Sequence, residues 1–172
     1  MNDDIALAIA VQSIKKSEGC KLTSYKDTKG YWTIGWGESE LVDKSIREGT
    51  IWSRQQAESR FMQRLSIVFH AVKVAWPGAD RLHPKAQAAL ISLAYNRGTS
   101  LTKKTPERDP LDRRREMREL QPAVVRRDYA QMARLLRSMK RIWENTGQGG
   151  LLTRREDEAE LCEQAATESG RG

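Results

Sequence analysis

The sequence is poor in the residue types that most often mark a metal site or a disulfide framework. Among its 172 residues it has two cysteines, Cys20 and Cys162, and two histidines, His70 and His83. A single cysteine pair does not make the disulfide framework of a small secreted domain, and the spacing of these four residues matches no metal site. We therefore expect no metal and no cofactor, and we favour two reduced thiols while a Cys20–Cys162 bridge stays open.

Long apolar runs are also absent. The apolar run from Ile5 to Val11 has seven residues, whereas a membrane-spanning helix needs about 20. The run follows Asp3 and Asp4 instead of basic residues, so it does not resemble a secretory signal peptide. We interpret it as the buried face of a helix, and we expect neither a membrane span nor an export signal.

The charge is unbalanced towards the basic side. Lys and Arg number 30 against 23 Asp and Glu, which gives a net charge of +7, and 38% of the residues are hydrophobic. That composition supports one well-buried core or two small lobes. A basic surface favours anionic partners, although charge alone does not choose among nucleic acid, acidic glycans, teichoic acid and lipid headgroups.

The first half of the chain alternates between helical and strand patterns. Apolar spacing predicts a helix over 3–18, stopped by Gly19. The Thr-, Tyr- and Trp-rich stretch 23–37 predicts a β-hairpin with its turn at Asp27–Gly30. Ser53 and Gln56 form a capping-box pattern that opens a long helix over 53–76.

The second half has a mostly helical pattern. A strongly apolar segment predicts a buried central helix over 85–96, opened by Pro84. We expect further helices over 109–120, 127–142 and 153–166, and a mobile tail over 169–172.

Two carboxylates and a hydroxyl carry the candidate chemistry. Glu18 lies at a helix C-terminus, where the helix dipole disfavours an ionised carboxylate, as a general acid requires. Asp27 lies in a polar turn, where water and backbone N–H groups favour its ionised form, and Thr33 offers a hydroxyl on the following strand. An acid and a second carboxylate in contrasting environments are what glycoside hydrolysis needs.

The order of these residues resembles the phage-type lysozymes, glycoside hydrolase family 24. The pattern Glu-Gly-x5-Tyr-x-Asp-x2-Gly-x2-Thr-Ile-Gly-x-Gly covers 18–37, and the segments 84–98 and 150–161 resemble the family's central-helix and C-terminal motifs. By this resemblance Glu18 is the proton donor, Asp27 assists the attacking water and Thr33 positions it. The resemblance implies an endolysin-type muramidase that cleaves the β-1,4 bond between N-acetylmuramic acid and N-acetylglucosamine in peptidoglycan, with inversion.

The resemblance also implies an α+β, mostly helical, two-lobe fold in a single lysozyme-like domain over 1–172. We expect an N-terminal lobe with the hairpin over about 17–60, a linking helix over about 53–76, and a helical lobe over about 77–166 packed with helix 3–18. The substrate cleft is expected between the two lobes.

Three further residues are candidate substrate contacts. Trp36 lies on the strand beside the proposed site and could stack on a sugar ring, Asn96 belongs to the central-helix motif, and Arg154 aligns with a family arginine near the catalytic glutamate. The expected partner is the glycan strand of peptidoglycan. We expect a monomer without nucleic-acid binding, which accumulates in the host bacterial cytoplasm and acts on the periplasmic cell wall after the membrane is breached.

Two features depart from the family pattern. Glu38 stands where the family usually has His after the Gly-x-Gly strand, which brings a third carboxylate near the site. The segment 102–127 holds nine Lys or Arg against five Asp or Glu and has no family counterpart. A solvated loop and helix is favoured there over a lid or a glycan-binding surface.

Two other functions remain open from the residues. A lytic transglycosylase would act on the same substrate and needs only the acid, although the presence of both Asp27 and Thr33 favours attack by water. A non-catalytic basic module that binds cell wall or nucleic acid would use the arginine-rich segment, but no groove-reading motif supports it.

Overall fold

The computed structural model describes residues 2–170 and has the mostly helical α+β architecture expected from the sequence. Its helices and strands are α1 (Asn2–Glu18), β1 (Lys21–Lys26), β2 (Trp32–Gly35), β3 (Glu38–Ser39), α2 (Arg54–Ala75), α3 (Pro84–Arg97), α4 (Arg115–Arg126), α5 (Tyr129–Ser138) and α6 (Gly149–Ser169). Short 3-10 segments follow α2 and α5. The predicted fold class is therefore confirmed.

The chain divides into two compact units. One comprises Ile14–Ile67, and the other comprises the described residues on either side of that segment. The first unit holds the sheet, the end of α1 and most of α2. The second holds the remaining helices.

The sheet of the first unit is an antiparallel three-stranded meander in the order β1-β2-β3. The predicted turn at Asp27–Gly30 joins β1 to β2, with Gly30 at φ 86°. Gly35, at the end of β2, has φ 65°, and a β-carbon there would lie 3.1 Å from the ring of Trp52. The glycine thus allows the strand to bend onto an aromatic side chain, as its position in the sequence suggested.

The long helix α2 begins at the predicted capping box. The Gln56 backbone N–H donates to Ser53 Oγ at 3.1 Å, and the Ser53 N–H donates to Gln56 Oε1 at 2.8 Å. These reciprocal bonds satisfy two of the amide donors that a helix start leaves unpaired. Phe61 and Leu65 then place the apolar side of α2 in the core of the first unit.

The second unit is built around α3, which is buried along its whole middle as predicted. Every residue from Ala86 to Tyr95 is buried, and α6 packs against the helix. The indole of Trp76 donates to the carbonyl of Met117 at 2.8 Å, which ties the end of α2 to α4.

Three of the predicted helices have wrong boundaries. The helix expected over 109–120 begins at Arg115 instead, because Asp112 adopts a left-handed conformation (φ 43°) that continues the turn, and it runs through Pro122 to Arg126. Burial of Met117, Leu120 and Val124 offsets the hydrogen bond that a proline inside a helix forfeits.

The other two errors have local causes. The predicted helix over 127–142 begins only at Tyr129, since Arg127 is left-handed (φ 52°) and the Asp128 side chain caps the helix by accepting from Gln131 N–H. The last helix begins at Gly149 and ends at Ser169, so it is longer at both ends than predicted. Within the predicted tail over 169–172, residues 171 and 172 lie outside the described residues.

Neither cysteine is in a disulfide. Both thiols are free, Cys20 half-buried and Cys162 buried. Among residues 2–170, no helix combines the length and apolarity needed to cross a bilayer.

Candidate active site

Glu18 is the last residue of α1. Gly19 follows with φ 66°, and its N–H closes the helix on the Lys15 carbonyl at 3.1 Å. The Glu18 side chain points to the β2–β3 connection, where an ideal β-carbon on Gly37 would lie 3.0 Å from Glu18 Oε2. The carboxylate therefore rests against a backbone position that only glycine leaves open.

Asp27 is held inside the hairpin turn by the turn's own backbone. Its Oδ1 accepts hydrogen bonds from the N–H groups of Lys29 at 2.8 Å and Tyr31 at 2.9 Å. No described residue donates to Oδ2, so that oxygen is the one positioned to meet a water molecule. The carboxylate is oriented by local structure, as the position of Asp27 in the turn predicts.

Thr33 lies on the central strand of the sheet and is only 4% exposed. Its hydroxyl donates to the Tyr31 carbonyl at 3.2 Å. Because the hydroxyl proton is engaged there, the oxygen's lone pairs are what it can offer to a water molecule.

Tyr25 is a further residue of this region, to which the sequence analysis assigned no role. It is the cross-strand partner of Thr33, so the two side chains share one face of the sheet. Burial raises the pKa of the Tyr25 phenol, and the negative charges of Glu18 and Asp27 raise it further. Both carboxylates therefore lie within electrostatic reach of one phenol. Its place in the motif, two residues before Asp27, was the available signal.

Glu38 is buried in β3 and faces Arg64 of α2. Arg64 Nη1 lies 3.4 Å from Glu38 Oε1 and donates to the Gly37 carbonyl at 2.7 Å. The acid that replaces the family's usual His is thus paired with a cation of the same unit.

The side chain of Trp36, the predicted sugar contact, lies in the core of the first unit. Trp36 is 2% exposed, and its ring centroid lies 5.4 Å from that of Phe61. Lys15 Nζ and the Arg54 guanidinium lie 4.4 and 4.8 Å from the Trp36 ring. A ring covered in this way has no free face for a sugar.

Asn96 and Arg154 belong to the second unit, where α3 meets α6. Arg154 is 3% exposed, and its Nε and Nη2 donate to the hydroxyl and carbonyl of Ser92 at 3.3 and 3.1 Å. Asn96 lies one helical turn after Ser92, on the same face of α3. Its Oδ1 is buried and accepts from no described residue.

The buried cations of this unit share one carboxylate. Glu158, fully buried, accepts from the Ser92 hydroxyl at 2.7 Å and from Arg155 Nη2 at 2.8 Å, and lies 3.6 Å from Arg154 Nε. Arg154 is therefore held rigidly in a buried network. Across residues 2–170, no group of three His, Cys, Asp or Glu side chains is arranged to hold a metal ion.

Residues 15–158 match the protein family described as phage lysozyme. The endolysins of Lactococcus phages c2 and phivML3 are each 33% identical over 87 residues, which is 49% of this chain. The matched segment spans only 36% of the length of those relatives.

Solved structures show the same fold. The active form of the P1 phage endolysin Lyz is similar with a TM-score of 0.66 at 20% identity, covering 90% of this chain and 82% of that one. The endolysin from Escherichia coli O157:H7 phage FAHEc1 has a TM-score of 0.62 at 24% identity, with 90% of each chain covered. At these identities the likeness concerns the fold.

Proposed function

The chain belongs to the phage lysozyme family, and from that membership we propose that it is a muramidase of bacterial peptidoglycan. It hydrolyses the β-1,4 bond between N-acetylmuramic acid and N-acetylglucosamine. The observation that carries the proposal is that one compact unit holds Glu18 against Gly37, Asp27 fixed by two backbone N–H groups, and Thr33 on the central strand. A net charge of +7 supports attraction to the anionic cell wall.

Glu18 acts as the general acid in this reaction. It protonates the glycosidic oxygen as the bond to the sugar breaks and positive charge develops on the anomeric carbon. Its place at the end of α1, against the Gly37 backbone, supports that role because it fixes the carboxyl group beside the β2–β3 connection. The contact also restricts the orientation of the carboxyl group.

Asp27 and Thr33 act on the attacking water. Asp27 Oδ2 takes one proton of the water molecule while the oxygen of that water bonds to the anomeric carbon. Thr33 Oγ1 accepts a hydrogen bond from the second proton of the same water. The water enters opposite the leaving oxygen, so the configuration at the anomeric carbon inverts. Both acceptors are oriented in advance by bonds within the hairpin.

The test is digestion of purified peptidoglycan by the wild type, Glu18→Gln, Asp27→Asn and Glu48→Gln. Glu48 is an exposed carboxylate of the same unit and serves as the matched control. We expect activity in the wild type and in Glu48→Gln, and a loss of at least 100-fold in the other two, since general acid–base groups contribute about 10²–10⁴-fold.

The products decide the chemistry. Hydrolysis gives a reducing N-acetylmuramic acid end with the α configuration by NMR, as inversion requires. A 1,6-anhydro end would overturn the proposal in favour of transglycosylation. Salt-sensitive binding of cell wall or nucleic acid without digestion would overturn it in favour of a binding module.

A further inference from the structure

The connection between β2 and β3 is anchored to α2 by Arg64. Its Nη1 donates to the Gly37 carbonyl at 2.7 Å and lies 3.4 Å from Glu38 Oε1. The guanidinium therefore holds the backbone of one residue and the side chain of the next. Both contacts come from the same nitrogen atom, so a movement of the guanidinium would disturb the two of them together.

Glu38 is a buried carboxylate paired with this cation. The residue is 8% exposed, and its Cα is paired in register with Ile34 of β2. A buried carboxylate that loses its partner is costly, since desolvation of the charge is no longer offset. Position 38 is also where the sequence departs from the family pattern, so the Arg64–Glu38 pair is a feature of this chain.

Gly37 is also in close proximity to Glu18. A β-carbon on Gly37 would lie 3.0 Å from Glu18 Oε2 and 3.4 Å from Glu18 Cδ. A displacement of Gly37 by a few tenths of an ångström would therefore change the space that the carboxyl group occupies. Gly37 therefore meets the carboxyl group of Glu18 and also accepts a hydrogen bond from Arg64.

We propose that Arg64 and Glu38 are positioning residues, and that their ion pair holds Gly37 in the place that orients the carboxyl of Glu18. The kinetic part of this inference rests on the proposed muramidase function. Neither residue touches the substrate in this scheme. Both act through the Gly37 backbone.

A positioning role predicts a particular kinetic effect. Misplacement of the acid weakens an interaction made only in the transition state, so kcat falls while KM stays nearly constant. Removing either partner releases the same segment, so the effects of Arg64→Met and Glu38→Gln should not add in the double variant.

The kinetic experiment compares Arg64→Met, Arg64→Lys, Glu38→Gln, the double variant and Arg60→Met on soluble peptidoglycan fragments. Arg60 is the matched control, since it lies one turn earlier on α2 and pairs with Asp43 at 3.1 Å. We expect kcat to fall about 10-fold in Arg64→Met at unchanged KM, to recover largely in Arg64→Lys, and to stay within twofold in Arg60→Met.

NMR supplies a second measurement that needs no activity. We expect the Gly37 amide and the Glu18 carboxyl ¹³C resonances to move in Arg64→Met and Glu38→Gln, and to stay in place in Arg60→Met. If the wild type digests no peptidoglycan, the proposed function fails while the NMR result still decides the positioning role. Unmoved resonances in folded Arg64→Met and Glu38→Gln, or a kcat of Arg64→Met equal to that of Arg60→Met, would overturn the inference.

Discussion

The carboxylate of Glu18 lies directly against the α-carbon of Gly37, so close that a β-carbon there would be 3.0 Å from Oε2. Gly37 also has φ 86°, a conformation that side-chain-bearing residues adopt at a cost of about 1–2 kcal/mol. The Glu18 carboxylate thus occupies the space that a side chain at position 37 would need.

Gly37→Ala should therefore lower both stability and activity. We expect the free energy of unfolding in urea to fall by about 1–2 kcal/mol, and peptidoglycan hydrolysis to fall at least tenfold because the acid is displaced. Gly49→Ala is the control: Gly49 has φ 75°, but a β-carbon added to it would meet no atom within 4 Å. Equal losses of activity in both variants would contradict the explanation.

The pKa of Tyr25 should report the charges of Glu18 and Asp27, the two proposed catalytic carboxylates. Burial first, and then the charges of Glu18 and Asp27, raise the pKa of the Tyr25 phenol, because an anion nearby disfavours the phenolate. Glu18→Gln and Asp27→Asn should each lower the Tyr25 pKa from its wild-type value, as followed by ¹³C NMR of the ring. Glu48→Gln should leave it in place. An unchanged Tyr25 pKa in both variants would show that neither carboxylate affects the phenol.

Glu158 should be indispensable for the second unit. It is fully buried and lies 3.6 Å from Arg154 Nε and 2.8 Å from Arg155 Nη2. Glu158→Ala leaves two buried guanidinium groups without it, which should cost about 3–5 kcal/mol of unfolding free energy in urea. Glu160 is exposed on the same helix, and Glu160→Ala should change the free energy of unfolding by less than about 0.5 kcal/mol. Similar losses of unfolding free energy in Glu158→Ala and Glu160→Ala would contradict the importance assigned to Glu158.

Glu116 should give the second unit a pH-dependent stability. Burial alone would raise the pKa of its carboxyl, but the hydrogen bonds and charge of Arg141, with help from Ser138, outweigh it and lower the pKa below 4.5. The stabilising contribution is therefore complete above the unfolded-state pKa and is lost as the pH falls through the folded-state pKa.

Urea unfolding of the wild type and Glu116→Gln checks the sign. The free energy of unfolding of the wild type should exceed that of Glu116→Gln most at pH 7. The difference between the two free energies should become smaller as the pH falls below about 4.5, because protonated Glu116 then resembles glutamine. A difference in unfolding free energy that grows as the pH falls would show that the pKa of Glu116 is raised on folding.

Local signals in the sequence predicted the elements that depend on neighbouring residues. The reciprocal bonds of Ser53 and Gln56, the hairpin turn at Asp27–Gly30 and the end of α1 at Gly19 all arise within a few residues. The helix that contains Pro122 depends instead on tertiary packing. Met117, Leu120 and Val124 are buried there, and α4 packs against α5.

By itself the sequence determined the family and the placement of Glu18, Asp27 and Thr33 on a helix end, a turn and a strand. These placements follow from short-range hydrogen bonds that the residue types prescribe. Only the tertiary structure decided that Trp36 is a core residue and that Arg64, 26 positions from Glu38 along the chain, pairs with it and reaches Gly37. Burial and ion pairing depend on which distant residues packing brings together, and residue spacing alone does not encode that.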